Sequence, residues 1–540
     1  TNEIIHYLAG RKPLPSEVTH QIITKTDGIP LFVEELTKMV LESGLVRETP
    51  SHYELTRSLS PLAIPDTLHD SLMARLDRLA IVREVVQLGA TVGREFSYEL
   101  LRAVSPLDET VLRQELMRLV DAEILYQKGQ PPHATYLFKH ALIQDAAYQS
   151  LLKSRRQQYH QQIATVLEEQ FPDIQETQPE LVAHHYTLAR LIAHAVPYWH
   201  RAGQREIERS ANQEAIGHLT QGIELLQTLP DTPERLQQEL FFQTLLGAPM
   251  VMRKGYGAPE VETTYARARE LCQRAGETPQ LFPALLGLWG FYLTRGQLLT
   301  AQEIGEQLLR VAPLTQDPTL RLGAHRAFGI SALYAGDLLL ARTHLEAAVA
   351  LYDRERHRPN AFLYSVADPG VTCLFSLAIT LSLLGYVDQA RKRVHEALTL
   401  AQSLAHPFSR AFALNFTAII SELRREYQEG LPYAQEAIAL ATEQGFPQQM
   451  AIGTAVYGGI LIGLGKHKEG IVHGHTALSL ARATGTELGR PYYLTLLARG
   501  YAATGRVQDG LECLAEGFTL VSKSAEYEPE LYRLNGELML

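Results

Sequence analysis

Cysteine is scarce: Cys272, Cys373 and Cys513 are the three in 540 residues. Each stands about a hundred residues from the next, which excludes a disulfide framework and any zinc site built from CxxC pairs. A strong excess of one charge is missing too. The 50 Lys and Arg against 60 Asp and Glu leave a net charge of −10, which argues against a chain that mainly coats nucleic acid or an anionic membrane. Long apolar runs are absent. The longest uncharged stretch, 444–465, contains Gly, Gln, Pro and Tyr, and its strictly apolar part is too short to span a bilayer. The start, Thr1-Asn2-Glu3, has neither an initiator Met nor the basic-then-apolar pattern of a signal peptide. The chain also stops inside an unfinished helical pattern, Glu530-Leu531-Tyr532-Arg533-Leu534. These features predict a segment of a longer, soluble, cytoplasmic protein from a reducing compartment. What is present is ordinary folded material, 46% hydrophobic and 20% charged. The length predicts two to four domains.

The clearest internal pattern is a period of 40. Gly-containing turns follow helix-like stretches at Gly336, Gly385, Gly465 and Gly505, and Arg425 falls where a glycine would complete the series. Small residues keep the same step seven places earlier, at Gly329, Ala378, Ala418, Gly458 and Ala498. They keep it again twelve places later, at Ala348, Ala397, Ala437, Ala477 and Gly517. Three registers moving together predict a stack of antiparallel helix pairs. Small residues let the helices approach closely, and a turn glycine takes up a backbone that other residues resist. The stretch "GISALYAGDLLLARTHLEAAVAL" around Gly336 has the tetratricopeptide form. Weaker units are legible around Gly296 with Ala301, and around Ala202-Gly203 with Ala215. No unit buries its apolar face alone, so the array stacks into a superhelix.

One step is longer than the rest. The nine extra residues lie between Ala348 and Ala378, in a stretch carrying Arg354, Arg356, Arg358, Phe362 and Tyr364. Arginine forks beside aromatic rings are frequent at recognition surfaces. The insertion is therefore the candidate site for a protein or small-molecule partner, set against a solvated loop in which Asp353 and Glu355 pair with the arginines.

The first 155 residues are more varied. Pro13 and Pro15 precede one helix, which Asp27-Gly28 ends, and Phe32, Leu36, Met39 and Val40 share one face of the next. The polar stretch 49–61 predicts a linker or hairpin. From Pro65 to Leu152 the pattern reads helix, helix, helix, helix, strand, strand, helix. Its hairpin pairs Ile124–Tyr126 with Thr135–Phe138 across Gly-Gln-Pro-Pro. Helices followed by a two-stranded wing are the winged-helix order, a fold that binds DNA in some proteins and serves as a rigid module in others.

No catalytic centre is legible. "GILIGLGK" lacks the first glycine and the Ser/Thr of a phosphate-binding loop. His184-His185 and His473-Gly474-His475 lack the i, i+4 spacing of a zinc site. No Ser/His/Asp or Cys/His signature is present. Neither nucleotide hydrolysis nor cyclisation is expected of this chain alone.

Several blocks together carry a family resemblance: "KTDGIPLFVEELTKMVLESGLV", "LAIPDTLHDSLMARLDRLA", "VVQLGATVGREFSYELL", "LFKHALIQDAAYQSLL", "AHHYTLA", "LLQTLPDTPER", "GETPQLFPALLGLWGFYL" and "LYRLNGELML". The chain resembles the C-terminal portion of bacterial signal-transduction ATPases of the STAND class that carry tetratricopeptide repeats. Such ATPases are commonly fused to a class III adenylate/guanylate cyclase domain. The resemblance implies a mainly all-α architecture: helical lid of an ATPase and linker at 1–60, winged helix at 61–155, and tetratricopeptide superhelix at 156–540. It implies ATP or ADP bound chiefly by an upstream domain, with Gly28 and Pro30 in the motif whose proline packs on adenine. It also implies that His140 reaches a phosphate of bound ADP, a contact an imidazole at a helix start is suited to make. The expected partners are upstream ATPase and effector domains in the same chain and a cue on the repeats, with neither nucleic acid nor membrane. A transcription regulator, a kinase fusion and a stand-alone scaffold remain alternatives.

Overall fold

The structure is a computed structural model that describes residues 1–56, 83–275, 280–314, 317–357 and 366–540, with Thr67 and Met73 as isolated positions. It divides into two compact units, Thr1–Tyr198 and Trp199–Leu540. None of the described helices is long and apolar enough to cross a membrane.

The first unit opens with helices Asn2–Leu8, Ser16–Thr26 and Pro30–Glu42. They pack around Ile22, Val33, Leu36 and Val40. Asp27 and Gly28 take left-handed backbone (φ 44° and 74°), and Pro30 opens the next helix, where its missing N–H removes no bond. The polar stretch beyond it begins as a short hairpin, β1 (Val46–Glu48) against β2 (Tyr53–Leu55).

Helices Arg83–Val92, Tyr98–Val104 and Glu109–Asp121 then lead to the wing-like hairpin. Its strands are β4 (Leu125–Lys128) and β5 (Thr135–Phe138), and β3 (Glu95–Ser97) adds a third, in the order β3-β5-β4. The third strand was not foreseen. Three residues between two helices leave no alternating pattern to read, and what seats them is Phe96 packing on Tyr136 and Phe138.

Helices Lys153–Gln170 and Pro179–Leu188, which the sequence pattern puts at the head of the repeats, lie in this first unit. Gln162 donates to the Val104 carbonyl (2.7 Å), and Tyr159 donates to Glu84 (3.2 Å). The same helices hold three histidines together: His160 and His185 are 2.8 Å apart through their Nδ1 atoms, and the Tyr148 hydroxyl lies 2.8 Å from His160 Nε2. They form a buried, hydrogen-bonded cluster with His184 packed edge-on against both.

The second unit is a tetratricopeptide-like stack. Pro318–Tyr334 pairs with Leu338–Leu351, Pro369–Leu383 with Val387–Leu404, and Pro407–Leu423 with Tyr427–Gln444. Pro447–Gly463 pairs with His467–Ala483, and Arg490–Ala503 with Val507–Thr519. Upstream, Pro233–Lys254 pairs with Pro259–Ala275 and Leu281–Thr294 with Leu298–Val311. The 40-residue registers have a direct physical cause. Gly336, Gly385, Gly465 and Gly505 all sit at φ between 74° and 84°, and Arg425 holds the same left-handed turn at φ 60°. A Cβ on Gly458 would meet the Gly470 carbonyl at 2.8 Å, so the helices touch backbone to backbone there.

The two helices of a pair differ in kind. Pro369–Leu383 is buried on every face from Pro369 to Leu381, whereas Val387–Leu404 buries Ala390, Ala397 and Ala401. A helix apolar all round must be covered all round. The first helices therefore form an inner layer, and the amphipathic second helices cover it from outside.

Candidate functional site

Gly28 and Pro30 lie exposed on the turn between two helices, beside an exposed Ile29. Helix Pro30–Glu42 carries Glu34 and Glu35 to His140, which sits at the N-cap of Ala141–Gln149. Side-chain ligand atoms of Glu34, Glu35 and His140 all fall within 4.8 Å of one another. Lys38 (2.8 Å) and Lys139 (3.1 Å) both pair with Glu34, and both also pair with Glu123. Hydrogen bonds from Lys139 and then Lys38 pull Glu123 down to about 2. Burial opposes the same effect at Glu34, but the two lysines still hold it below the usual carboxylate range. His140 Nε2 is buried with no hydrogen-bond partner among the described residues. An anion at His140 would have two carboxylates beside it in this arrangement, with Lys38 and Lys139 paired to one of them.

Of the insertion residues, Arg354 is described in full. Its Nη2 donates to the Ser403 carbonyl at 3.2 Å, against the end of an outer helix. The Arg356 side chain, Arg358, Phe362 and Tyr364 lie outside the described residues.

A cavity lies elsewhere, inside the second unit. Its volume is about 170 Å³, and it is open to solvent on one side. The inner helices line it with stripes at helical spacing: Thr372, Ser376 and Ile379 on one, and Phe408, Phe412, Phe416 and Ile419 on another. Distant repeats are bonded together around it. The Thr294 carbonyl accepts from the Glu487 and Leu488 N–H groups (2.9 and 3.0 Å), and the Tyr256 N–H donates to Gln448 Oε1 (3.0 Å). Glycine is required at this seam, since a Cβ on Gly257 would stand 2.5 Å from the Gly485 carbonyl oxygen. The short turns Val521–Lys523 and Ala525–Tyr527 add a strap that brings Glu526 and Tyr527 into the lining.

Among the described lining residues there is a single cation, Arg326, and a single carboxyl, Glu526. Arg326 is 6% exposed and lies in the helix "PTLRLGAHRAFGISALY". Its guanidinium carbon is 5.6 Å from the centre of the Trp289 ring, whose N–H is held by Ser331 (2.9 Å). Among the described residues its one hydrogen bond is a long 3.5 Å contact from Nη1 to Thr372 Oγ1, and Nε is buried without a partner there. No carboxylate among the described residues pairs with it. The buried carboxylate on the next inner helix, Asp368, is taken up by the Tyr352 hydroxyl (3.1 Å) and the Val371 N–H (3.0 Å).

Glu526 shares the cavity wall with Tyr334, Tyr493 and Tyr527. Ser524 donates to its Oε1 at 2.8 Å, while Oε2 has no partner among the described residues. Burial pushes the Glu526 carboxyl up to about 8, so it holds its proton at neutral pH. Burial also raises the phenols of Tyr334, Tyr493 and Tyr527 well above their ordinary range. Sequence reasoning missed this site. The available signal was a lone arginine in a helix otherwise without charge between His325 and Tyr334, next to helices apolar on every side.

No protein-family model matches the chain. Among curated proteins, an uncharacterized protein of Rhizobium meliloti (strain 1021) is 24% identical over 496 residues, 91% of this chain and 47% of that protein. The chain thus spans about half the length of the curated relative it matches. Among solved structures, it is similar to a signal transduction ATPase with numerous domains and a tetratricopeptide repeat sensor, from Pyrococcus horikoshii. The TM-score is 0.48 at 11% identity, covering 99% of this chain and 74% of that one. It is also similar to a Rap protein complexed with competence and sporulation factor, with TM-score 0.44 and 12% identity over 64% of this chain and 98% of that one. A third, NprR in complex with its cognate peptide NprX, has TM-score 0.39 at 13% identity, covering 71% of this chain and 97% of that one.

Proposed function

We propose that the chain is the sensing and relaying segment of a nucleotide-dependent signal-transduction ATPase. In this reading, the repeats bind a cue in their interior cavity and the first unit passes the event to an upstream ATPase joined to an adenylate/guanylate cyclase. The cavity, with a buried arginine and a buried carboxyl in its wall, carries the proposal. A stack of helix pairs serving only as scaffold needs no pocket whose wall buries a cation without a carboxylate partner among the described residues, together with a protonated carboxyl, since both oppose folding. The order of helices and strands in the first unit supports reading 61–155 as a winged helix and the helices before it as the ATPase lid. ATP or ADP would be held chiefly upstream, with Gly28 and Pro30 offering an exposed turn and apolar ring to the base. His140 joins the nucleotide only in a state where it has left Glu34 and Glu35.

The test uses the full-length protein. Ser376→Phe places a ring in the cavity, and nucleotide turnover is measured with and without the low-molecular-mass fraction of a cell lysate. Basal turnover should persist while the dependence on the fraction disappears, with melting curves confirming the fold. A full response from the filled cavity would overturn the reading. In the same protein, His140→Ala should weaken ADP retention by about tenfold, as loss of one charge-assisted hydrogen bond implies. Unchanged ADP affinity would return His140 to a structural role.

A further inference from the structure

The cavity's one cationic and one carboxylic side chain among the described lining residues stand apart along its wall. Arg326, Ile330, Leu333 and Tyr334 fall at i, i+4, i+7 and i+8 on the face of Pro318–Tyr334 that lines the cavity. Two helical turns separate Arg326 from Tyr334, a rise of about 12 Å. A Cβ on Gly336, two residues beyond Tyr334, would stand 3.8 Å from Ala525 Cβ, so the strap brings Glu526 in at the end away from the guanidinium. Much of the remaining wall is aromatic or aliphatic, with Phe412 and Phe416 stacked at 4.2 Å.

Resting on the reading that this cavity is the cue site, we infer that its ligand is an amphipathic monocarboxylate. The anionic head would lie on Arg326, the apolar body along the ring-lined wall, and the tail toward the Glu526 end. A guanidinium presents a planar fork of donors matched to a carboxylate, and among the described residues Arg326 has one long hydrogen bond and an unpartnered Nε. A phosphate ester would bring more charge than one arginine matches. A neutral lipid would leave the cation uncompensated. A cationic ligand would meet Arg326 at one end and a protonated acid at the other.

Trp289 supplies the readout, because it lines the cavity beside Arg326 and the chain's other tryptophan is Trp199. In a Trp199→Phe background of the 540-residue chain, Trp289 fluorescence is titrated with decanoate, decan-1-ol and decylamine. Decanoate should bind saturably and about tenfold or more tighter than decan-1-ol, with decylamine weakest. Arg326→Gln should bring decanoate down to the level of the alcohol, and Arg326→Lys should restore part of the preference. Far-ultraviolet circular dichroism confirms that each variant is folded. Equal binding of acid and alcohol to the unsubstituted site would overturn the carboxylate inference and leave the cavity as a cue site for another ligand class. An undiminished preference in folded Arg326→Gln would also overturn it. No saturable change with any probe would overturn the inference as well. If Ser376→Phe in the full-length protein then left signalling intact, the cue-site reading would fall with it.

Discussion

Glu526→Gln tests the electrostatics of the cavity without touching its shape. The carboxyl has an ordinary value of 4.5 and is pushed to about 8 in the fold. Between those values the folded chain keeps a proton that the unfolded chain has lost. Stability therefore falls as pH rises through this window, by up to about 1.4 kcal/mol per pH unit, and levels off above about 8. The difference of 3.5 units (8 − 4.5) sets a ceiling of about 5 kcal/mol. The groups facing Glu526 do not titrate with it. Ser524 is neutral, and the phenols of Tyr334, Tyr493 and Tyr527 are shifted upward and stay protonated. Gln keeps the volume and a hydrogen bond from Ser524 but has no proton to lose. Urea melts of both proteins from pH 5 to pH 9 should show the parent losing stability relative to Glu526→Gln as pH rises, with little further change beyond pH 8. Parallel curves across the range would refute the buried, protonated carboxyl.

Three further predictions rest on other parts of the molecule. Burial lowers His160 from 6.5 to about 4, with His184 and Arg156 adding to the effect, so its contribution to stability is present above pH 6.5 and lost as pH falls toward 4. The loss is at most about 3 kcal/mol for this group, and His160→Gln should make the acid limb shallower in chemical melts, with His184 and His185, also lowered by burial, supplying the rest. Gly257→Ala forces a Cβ against the Gly485 carbonyl at 2.5 Å and should destabilise the second unit by about 1–3 kcal/mol, seen as a lower urea midpoint. An unchanged midpoint would mean that the seam is loose. Arg425→Gly removes a left-handed non-glycine residue at φ 60° and should stabilise by roughly 0.5–1 kcal/mol after the added chain entropy of glycine. A loss of stability would show that the Arg425 side chain matters more than its backbone.

The repeats were legible because their cause is local. A left-handed turn favours glycine, a helix start tolerates proline, and close helix contact needs small side chains, so Gly336, Pro369 and Gly458 each mark the sequence where they act. The hairpin Leu125–Lys128 with Thr135–Phe138 was legible for the same reason, through its alternation and turn. The cavity was not. It depends on Thr294 meeting Leu488 and Tyr256 meeting Gln448, and nothing near any of these four residues announces a partner so far along the chain. Arg326 was visible as a lone charge among apolar neighbours, but burial without a counter-ion is a property of the folded surroundings. The period of 40 drew attention to its own break at 352–370, while the void arose from closure of the regular part. Gly28, Pro30 and His140 were chosen by family resemblance. Local pattern places them at a turn, a helix start and an N-cap, and gives no account of Glu34 and Glu35 beside the imidazole.

The seam has a consequence for how the second unit comes apart. An open array of helix pairs unravels from its ends, since each pair is held by its neighbours alone. Here Tyr256 is bonded to Gln448 across 192 residues, and Thr294 to the segment at Glu487 and Leu488. Fraying of an early pair therefore removes support from a late one, and the repeats between them melt together rather than in sequence. A molecule lodged in the cavity would touch helices from both sides of the seam, and would be felt as a single increment in the cooperativity of the whole ring of pairs.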